Sequence, residues 1–213
     1  MPPLLPVSVI VPHTDASPKR VAFLRERCLP AIEAQGVAEV IVEPGPEGAQ
    51  VKRNRGAAKA KQPFLLFVDD DDVLLAGAVR KMHHALEMEP SAAFAYGQWA
   101  HVYYDDPFGR TRVDAVTRGW DAAAITWSNF IPTESMIRRE WFPGWDESLT
   151  SSQEWDLWWT IAERGGYGVY LAEQLLEAHH FDAGLTKGDN DEGRRGRMRV
   201  MEKHRLSVAP ARG

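Results

Sequence analysis

The chain has 213 residues, 25 Lys and Arg against 30 Asp and Glu, a net charge of −5 and a pI of 5.8. That balance excludes nucleic-acid binding driven by net charge, and 44% hydrophobic with 26% charged residues describes a folded globular chain rather than a disordered one. No uncharged apolar run has the length of a membrane span, and the Met1–Pro6 start lacks the basic flank and apolar length of a signal peptide.

The single cysteine, Cys28, cannot form an internal disulfide, which fits a reducing, cytoplasmic compartment. Its place in an amphipathic stretch marks it as core filler rather than a nucleophile. The length suits one domain with a substantial core.

Taken in order, Val7 to Val11 is a β-branched run fenced by Pro6 and Pro12, read as a buried first strand. Ser17-Pro18 is a helix start, followed by Val21, Leu24, Cys28 and Ile32 at helical spacing, with a kink or split expected at Pro30 and a stop at Gly36. Val40-Ile41-Val42 is a second strand that runs into a Pro- and Gly-rich loop beginning at Glu43. The segment from Gln50 to Lys61 is helical and basic, and Phe64 to Val68 is a third strand. This β-α-β-α-β order implies a parallel sheet with right-handed crossovers, an α/β half of nucleotide-binding type. No Gly-x-Gly-x-x-Gly or Walker loop follows the first strand, so neither a dinucleotide fold nor a P-loop is supported.

The third strand leads directly into Asp69-Asp70-Asp71-Asp72. Strand alternation would put Asp69 and Asp71 on one face and Asp70 and Asp72 on the other. Four carboxylates at the C-terminal end of a buried strand need a cation, most simply a divalent metal, and the basic helix just before them suits a diphosphate.

Beyond this point a helix is expected from Ala76 to Glu87, an aromatic strand pair from Ala92 to Tyr104, and loop-like chain from Asp105 to Ala124. A strand follows from Phe130 to Arg138, then a helix from Gln153 to Arg164, then short strands Tyr167–Leu171 and Leu175–Ala178 before His179-His180. Five of the eight tryptophans fall between Trp141 and Trp159, either a packed core or an aromatic platform for a ligand such as a sugar. The basic tail from Arg194 to Arg205 reads as a solvated helix or a disordered end.

Several of these stretches together resemble the family 2 glycosyltransferases with the GT-A fold, from about Val7 to His180. The stretches are Ser8-Val9-Ile10-Val11-Pro12, Lys52-Arg53-Asn54-Arg55-Gly56, Phe67-Val68 with the four aspartates, and Trp145-Asp146-Glu147-Ser148-Leu149 followed by Gln153-Glu154-Trp155-Asp156-Leu157-Trp158. They match that family's opening strand, its Ala-Arg-Asn-x-Gly helix start, its Asp-x-Asp metal motif and its Phe-Asp-Glu…Glu-Asp-x-Asp-Leu-Trp segment.

The resemblance implies an α/β GT-A, Rossmann-like fold with a mixed, mostly parallel central sheet flanked by helices. Residues 1–185 would form one domain, with a donor half to about residue 100 and an acceptor half after it, and residues 186–213 a basic tail. It also implies metal-dependent, inverting transfer of a sugar from a nucleotide-diphosphate donor to an acceptor hydroxyl. Asp69 would face the ribose, and Asp71 would bind Mn²⁺ or Mg²⁺ with His180 as the late histidine of the metal shell, His179 being the adjacent alternative. Pro12, Glu43, Arg53 and Asp70 join the donor side, Glu154 is the general base, and Trp145, Trp155 and Asp156 line the acceptor side. The acceptor is open among a glycan, a protein, a small molecule or a modified nucleobase, as is oligomeric state.

The chain departs from the pattern at His13-Thr14, at Glu43-Pro44-Gly45-Pro46 and at Gln153. Two alternatives remain at this point: a haloacid-dehalogenase-like phosphatase using Asp69 and Asp71, and a nucleotide- or sugar-binding module without turnover.

Overall fold

A computed structural model of the chain describes residues 3–15, 17–105, 109–180 and 191–207. Strand β1 (Leu5–His13) pairs in parallel with β2 (Val37–Pro44) on one side and β3 (Phe64–Phe67) on the other. The rest of the sheet is assembled from β7 (Met136–Arg138), β5 (Phe94–Asp105), β8 (Gly168–His180) and β4 (Asp72–Leu74), in the order β2-β1-β3-β7-β5-β8-β4, with β6 (Gly109–Asp114) paired to β5. The sheet is mixed. Its β2-β1-β3 part and the β5–β8 pair are parallel, while β7, β4 and β6 join antiparallel.

Helices cover both faces because the strands are apolar on both. Val7, Val9 and Val11 enter one core with Phe23, Leu24, Cys28 and Ile32, together with Met82 and Leu86 of α4 (Ala78–Met88). Ile10, Leu65 and Phe67 point the other way, toward Ala57 of α3 (Ala49–Lys59) and toward Trp155, Trp158 and Trp159 of α5 (Gln153–Glu163). The alternation follows from the two-residue period of a strand, and each fully buried large apolar side chain contributes roughly 1.5–3 kcal/mol. Cys28 is fully buried in the first core, as expected of core filler.

The first helical segment is split at Pro30. Helix α1 (Pro18–Phe23) runs through a π-turn at Leu24–Cys28 into α2 (Leu29–Glu33), where Pro30 occupies the first turn. Proline has no N–H to return to the preceding turn, so the ladder is broken there. Gly56 lets α3 lie close to β1, since a Cβ at this position would run into the Ile10 side chain.

Three sequence expectations need correction, and a fourth, the basic tail, takes its helical alternative but packed rather than solvated. The stretch after Asp105 contains β6, so the hairpin partner of β5 lies later in the chain than the strand pair expected within Ala92–Tyr104. The strand expected over Phe130–Arg138 is confined to Met136–Arg138. Upstream, Pro132 removes a ladder donor and its carbonyl accepts from Ser135 Oγ at 2.7 Å. The two short strands before His179 are one strand, β8, interrupted in register where Gln98 slips to face Gln174. The basic tail forms α6 (Asp191–Ser207), packed on α5 with Val200 and His204 buried. Among the described residues, no helix is long and apolar enough to cross a membrane.

Candidate active site

The C-terminal ends of β1, β2 and β3 converge, and α3 starts beside them. Five consecutive residues of α3 each fasten a different piece of this edge. Lys52 Nζ donates to the carbonyls of His13 at 2.8 Å and Gly45 at 3.2 Å. Arg53 donates to Asp69 and, at 3.3 Å, to Gln153 Oε1, with its guanidinium 4.6 Å from the centroid of the Trp145 ring. Asn54 accepts from Trp145 N at 2.8 Å and donates to Trp145 O and Glu147 Oε1, both at 2.9 Å. Arg55 donates to Glu43 Oε2 and to Pro44 O, both at 2.6 Å. Gly56 supplies the close packing on β1. One turn and a half of helix thus ties together the ends of β1 and β2, the aspartates, the Trp145 segment and the start of α5.

The aspartate run does not keep strand alternation. Strand β3 ends at Phe67, and Asp72 N donates to Asp69 O at 3.0 Å, closing a turn. Asp69 points to Arg53 on the α3 side. Asp70 points the other way, with Oδ2 2.6 Å from His13 Nδ1 and Oδ1 accepting from Arg20 Nε at 3.1 Å. Asp71 joins that second group through Arg20, 3.0 Å away. The turn returns Asp72 to the first side, where ligand oxygens of Asp69, Asp72 and Glu134 all lie within 4.8 Å of one another. The expected pairing of Asp69 with Asp71 and Asp70 with Asp72 is therefore replaced by Asp69 with Asp72 and Asp70 with Asp71.

Three carboxyls at this turn, Asp71, Asp72 and Glu134, are held above their ordinary range. Burial raises Asp71 to about 7, and neighbouring Asp69 and Asp70 add to the rise while Arg20 opposes it. Burial likewise raises Glu134 to about 7, with Asp69 adding to it, and pushes Asp72 well up, with Glu134 adding there. Glu134 was not singled out from sequence. The available signal was one acid in the middle of the apolar stretch Phe130–Ile137, since an acid that is buried needs a partner.

Glu154 sits in the first turn of α5, where its charge suits the helix dipole. Ser152, just before this helix, has φ 58°, the left-handed region, and is the one non-glycine residue with positive φ among those described. Burial pushes the Glu154 carboxyl up, and Asp69 adds to that. Arg53 and the Asn129 side chain pull it down, with a net upward shift. Arg53 therefore acts electrostatically on both the aspartate turn and this carboxylate.

Other expected residues have definite places. Pro12 is buried and faces Glu43 in the β1–β2 register. Glu43 is 2% exposed, and its two oxygens accept from Arg55 and from Lys59 at 2.6 Å, so it fastens α3 to β2. Burial would raise its carboxyl, and these two cations bring it below the usual range.

His180 Nε2 lies 2.9 Å from His101 Nδ1, and its ring stacks on Tyr103; among the described residues the gathered group is Asp69, Asp72 and Glu134, without His180. His179 is buried, and its backbone N–H donates to Asp71 O at 3.2 Å.

Trp155 and Asp156 lie in the interior rather than on an open acceptor face. Trp155 Nε1 donates to Ile125 O at 2.5 Å. Asp156 accepts from Lys203 at 2.9 Å and meets His204 Nε2 at 2.8 Å, both from α6. Trp145, 4% exposed, packs at right angles to Phe67 beneath Arg53.

The glycosyl transferase family 2 profile matches residues 14–144, more than half of the chain. The chain belongs to glycosyl transferase family 2. Its mixed sheet flanked by helices has the GT-A architecture. Among curated proteins no relative matches.

Solved structures of S. aureus TarS share the fold. The full TarS crystal structure aligns with a TM-score of 0.57 at 13% identity over 97% of this chain. TarS 1-349 in complex with UDP-GlcNAc aligns with 0.63 at 14% identity over 96% of this chain and 68% of that one. TarS 1-349 with UDP aligns with 0.60 at 12% over 97% and 73%. The family 2 chain described here spans 44% of the length of the full TarS chain.

Proposed function

We propose that this family 2 glycosyltransferase moves a sugar from a nucleotide-diphosphate donor to an acceptor hydroxyl, with inversion at the anomeric carbon and with Glu154 as general base. One observation carries the reading: Arg53 joins the aspartate turn, Trp145 and the first turn of α5, so the donor-side acids and the Glu154 carboxylate belong to a single network. UDP and UDP-GlcNAc complexes of the similarly folded TarS support a nucleotide-sugar donor.

In this reading Pro12 and Glu43 frame the nucleoside end through the β1–β2 edge, Asp69 and Asp70 lie on the donor side, and Arg53 faces the diphosphate. Glu154 takes the acceptor proton as the hydroxyl oxygen attacks the anomeric carbon. The new C–O bond forms on the face opposite the leaving diphosphate, whose own bond to that carbon breaks. An upward-shifted carboxyl is better matched to accepting a proton near neutrality than an ordinary one. Trp145 lies beneath Arg53 next to this centre.

The residues fit a divalent cation, Mn²⁺ or Mg²⁺. The turn gathers hard carboxylate oxygens, and the buried Glu134 Oε1 has no hydrogen-bond partner. Asp71 and His180 are the ligands that the family pattern implies. When bound, such an ion stabilises negative charge on the leaving diphosphate.

The phosphatase reading is set aside, because the chain belongs to a glycosyltransferase family and Asp69 is ion-paired with Arg53. A cytoplasmic setting, with a buried, unpaired Cys28, completes the proposal.

The test is donor turnover by wild type and Glu154→Gln against UDP-, GDP-, CDP- and dTDP-sugars with candidate acceptors, the product anomer being read by NMR. An inverted product from wild type and loss of transfer in the variant are expected. Undiminished transfer by Glu154→Gln would remove the base. Binding of a donor with no turnover would favour the non-catalytic module.

A further inference from the structure

Strand β8 changes its register against β5 twice within a short stretch. Gly97 faces Leu171, Gln98 faces Gln174 and Trp99 faces Leu176, so two steps along β5 match five along β8. Irregularities of this kind re-aim side chains. Leu175 turns into the first core, in the space left by Gly97, where a Cβ would run into it. Gln174 lines a cavity of about 260 Å³ together with Gln98 and Trp99 of β5, Asp114 at the end of β6, and Ala115 and Thr117 just after it.

The groups around this cavity suit an uncharged polar ligand. Gln174 Oε1 accepts from Arg112, which fixes the orientation of the amide because a guanidinium only donates. The amide nitrogen, Nε2, is buried and has no hydrogen-bond partner among the described residues, although buried donors ordinarily have one. Gln98 Nε2 donates to the Tyr170 hydroxyl at 3.0 Å, and Thr117 Oγ1 lies 3.0 Å from the same oxygen, so polar groups converge beside the Trp99 indole. Arg112 also faces Asp114 at 3.4 Å and Glu177 at 3.8 Å, and two carboxylates offsetting its charge disfavour a phosphate.

Size and sheet pairing narrow the class further. The space is smaller than the roughly 300–1,000 Å³ of a drug-sized site, so it takes one ring rather than a chain. An extended peptide has no free sheet edge to join, since β5 is paired with β8 on one side and its Trp99 carbonyl accepts from Ala115 N at 2.9 Å on the other.

We propose that this cavity binds one neutral pyranose ring, a hexose or N-acetylhexosamine, as a saccharide subsite separate from the aspartate turn. The C–H face of the ring packs on Trp99, and its hydroxyls accept from Gln174 Nε2 and donate to the exposed Asp114 carboxylate. Gln174 lies four residues before Ala178, the partner of Asp72, a separation of roughly 13 Å along a regular strand. A glycan held there by one ring stays beside the proposed transfer centre without occupying it. Binding needs no donor, metal or turnover, so its failure and failure of the proposed function are read separately.

The experiment is a two-dimensional NMR titration of the full ¹⁵N-labelled chain with the methyl glycosides of glucose, galactose, mannose and N-acetylglucosamine. The Trp99 indole N–H signal is identified by its absence from Trp99→Phe. In wild type, at least one glycoside should move that signal saturably. Gln174→Glu keeps the acceptor for Arg112 and removes only the Nε2 donor, so it should bind about two- to tenfold more weakly, the worth of one hydrogen bond. Ala115→Leu fills the cavity while leaving its polar side chains in place and should abolish the shift. Circular dichroism melts confirm that both variants fold.

A wild-type Trp99 signal that no glycoside moves would overturn the inference, leaving water as the partner of Gln174 Nε2. Undiminished affinity in both Gln174→Glu and Ala115→Leu would place the sugar elsewhere and overturn it too. A shift of this signal by inorganic phosphate or UDP, but by none of the glycosides, would assign the cavity to an anion.

Discussion

Arg53 donates to Asp69 while its guanidinium lies over the Trp145 ring, 4.6 Å from the centroid. The side chain is 4% exposed, and burial, which works against its charge, is outweighed by Asp69. A lysine cannot copy this contact. Its ammonium is a point charge without the planar face that stacks on indole or the second N–H that reaches Gln153.

Arg53→Lys should therefore bind donor nucleotide at least about tenfold more weakly while remaining folded. Arg53→Ala should also destabilise the fold, by about 3 kcal/mol or less, because Asp69 keeps partial access to water. Calorimetric titration with nucleotide and denaturant melts would check the two arms.

Glu154→Gln should lower kcat by on the order of 10²–10⁴-fold with little change in donor affinity, the usual range for a general base. Because burial raises the Glu154 carboxyl, the acid limb of the wild-type rate profile should fall above the ordinary value of 4.5. The base must be ionised to act, so the rate climbs as pH rises through that limb. A pH–kcat profile flat across the limb would remove Glu154 from proton transfer.

Without metal, folding stability should fall as pH rises from about 5 to about 8. Glu134 and Asp71 are raised to about 7 in the folded chain from 4.5 and 3.8, chiefly by burial. Between those values the folded state holds protons that the unfolded chain has released, so raising pH favours unfolding. Mn²⁺ should restore the melting temperature at the upper end of this window and do little at the lower end. Scanning calorimetry at both pH values, with and without Mn²⁺, reads the pattern directly.

Helix α6 should prove necessary for the α5 geometry. Lys203 bridges Asp156 of α5 and Asp146, while His204 stacks on Trp159, 4.5 Å between centroids. Gly196 passes so close to Ser151 that a Cβ there would collide with it. Asp156→Asn should cost about 3 kcal/mol, as loss of one partner from a largely buried ion pair does. Its effect on kcat should be small if α5 keeps its place. Chemical denaturation and steady-state rates on the same preparation separate the two effects.

Much of the frame was legible in the chain. Val7–Val11 and Phe64–Phe67 are apolar on both faces and short, which marks central strands. Lys52-Arg53-Asn54-Arg55-Gly56 was legible as a basic helix from its charges, and as a unit only through its resemblance to the family's helix start.

What could not be read was anything set by pairing between distant segments. β6 is polar and β4 is only three residues long, and only their partners make them strands. The direction of Asp71 depended on where β3 stopped, one residue earlier than its apolar run implied, and on the turn that follows. Glu134, Lys203 and His204 acquire their partners from residues 41 or more positions away, across a fold that local periodicity does not report.

The most direct test is a melting-temperature panel with UDP, GDP, CDP and dTDP, each with and without Mn²⁺, on wild type and Asp71→Ala. A ligand that binds only the folded state raises the melting temperature by mass action. The account predicts a rise for one nucleotide that requires Mn²⁺ and is lost in the variant. No rise for any nucleotide, with or without the metal, would contradict a nucleotide-diphosphate donor site at the aspartate turn.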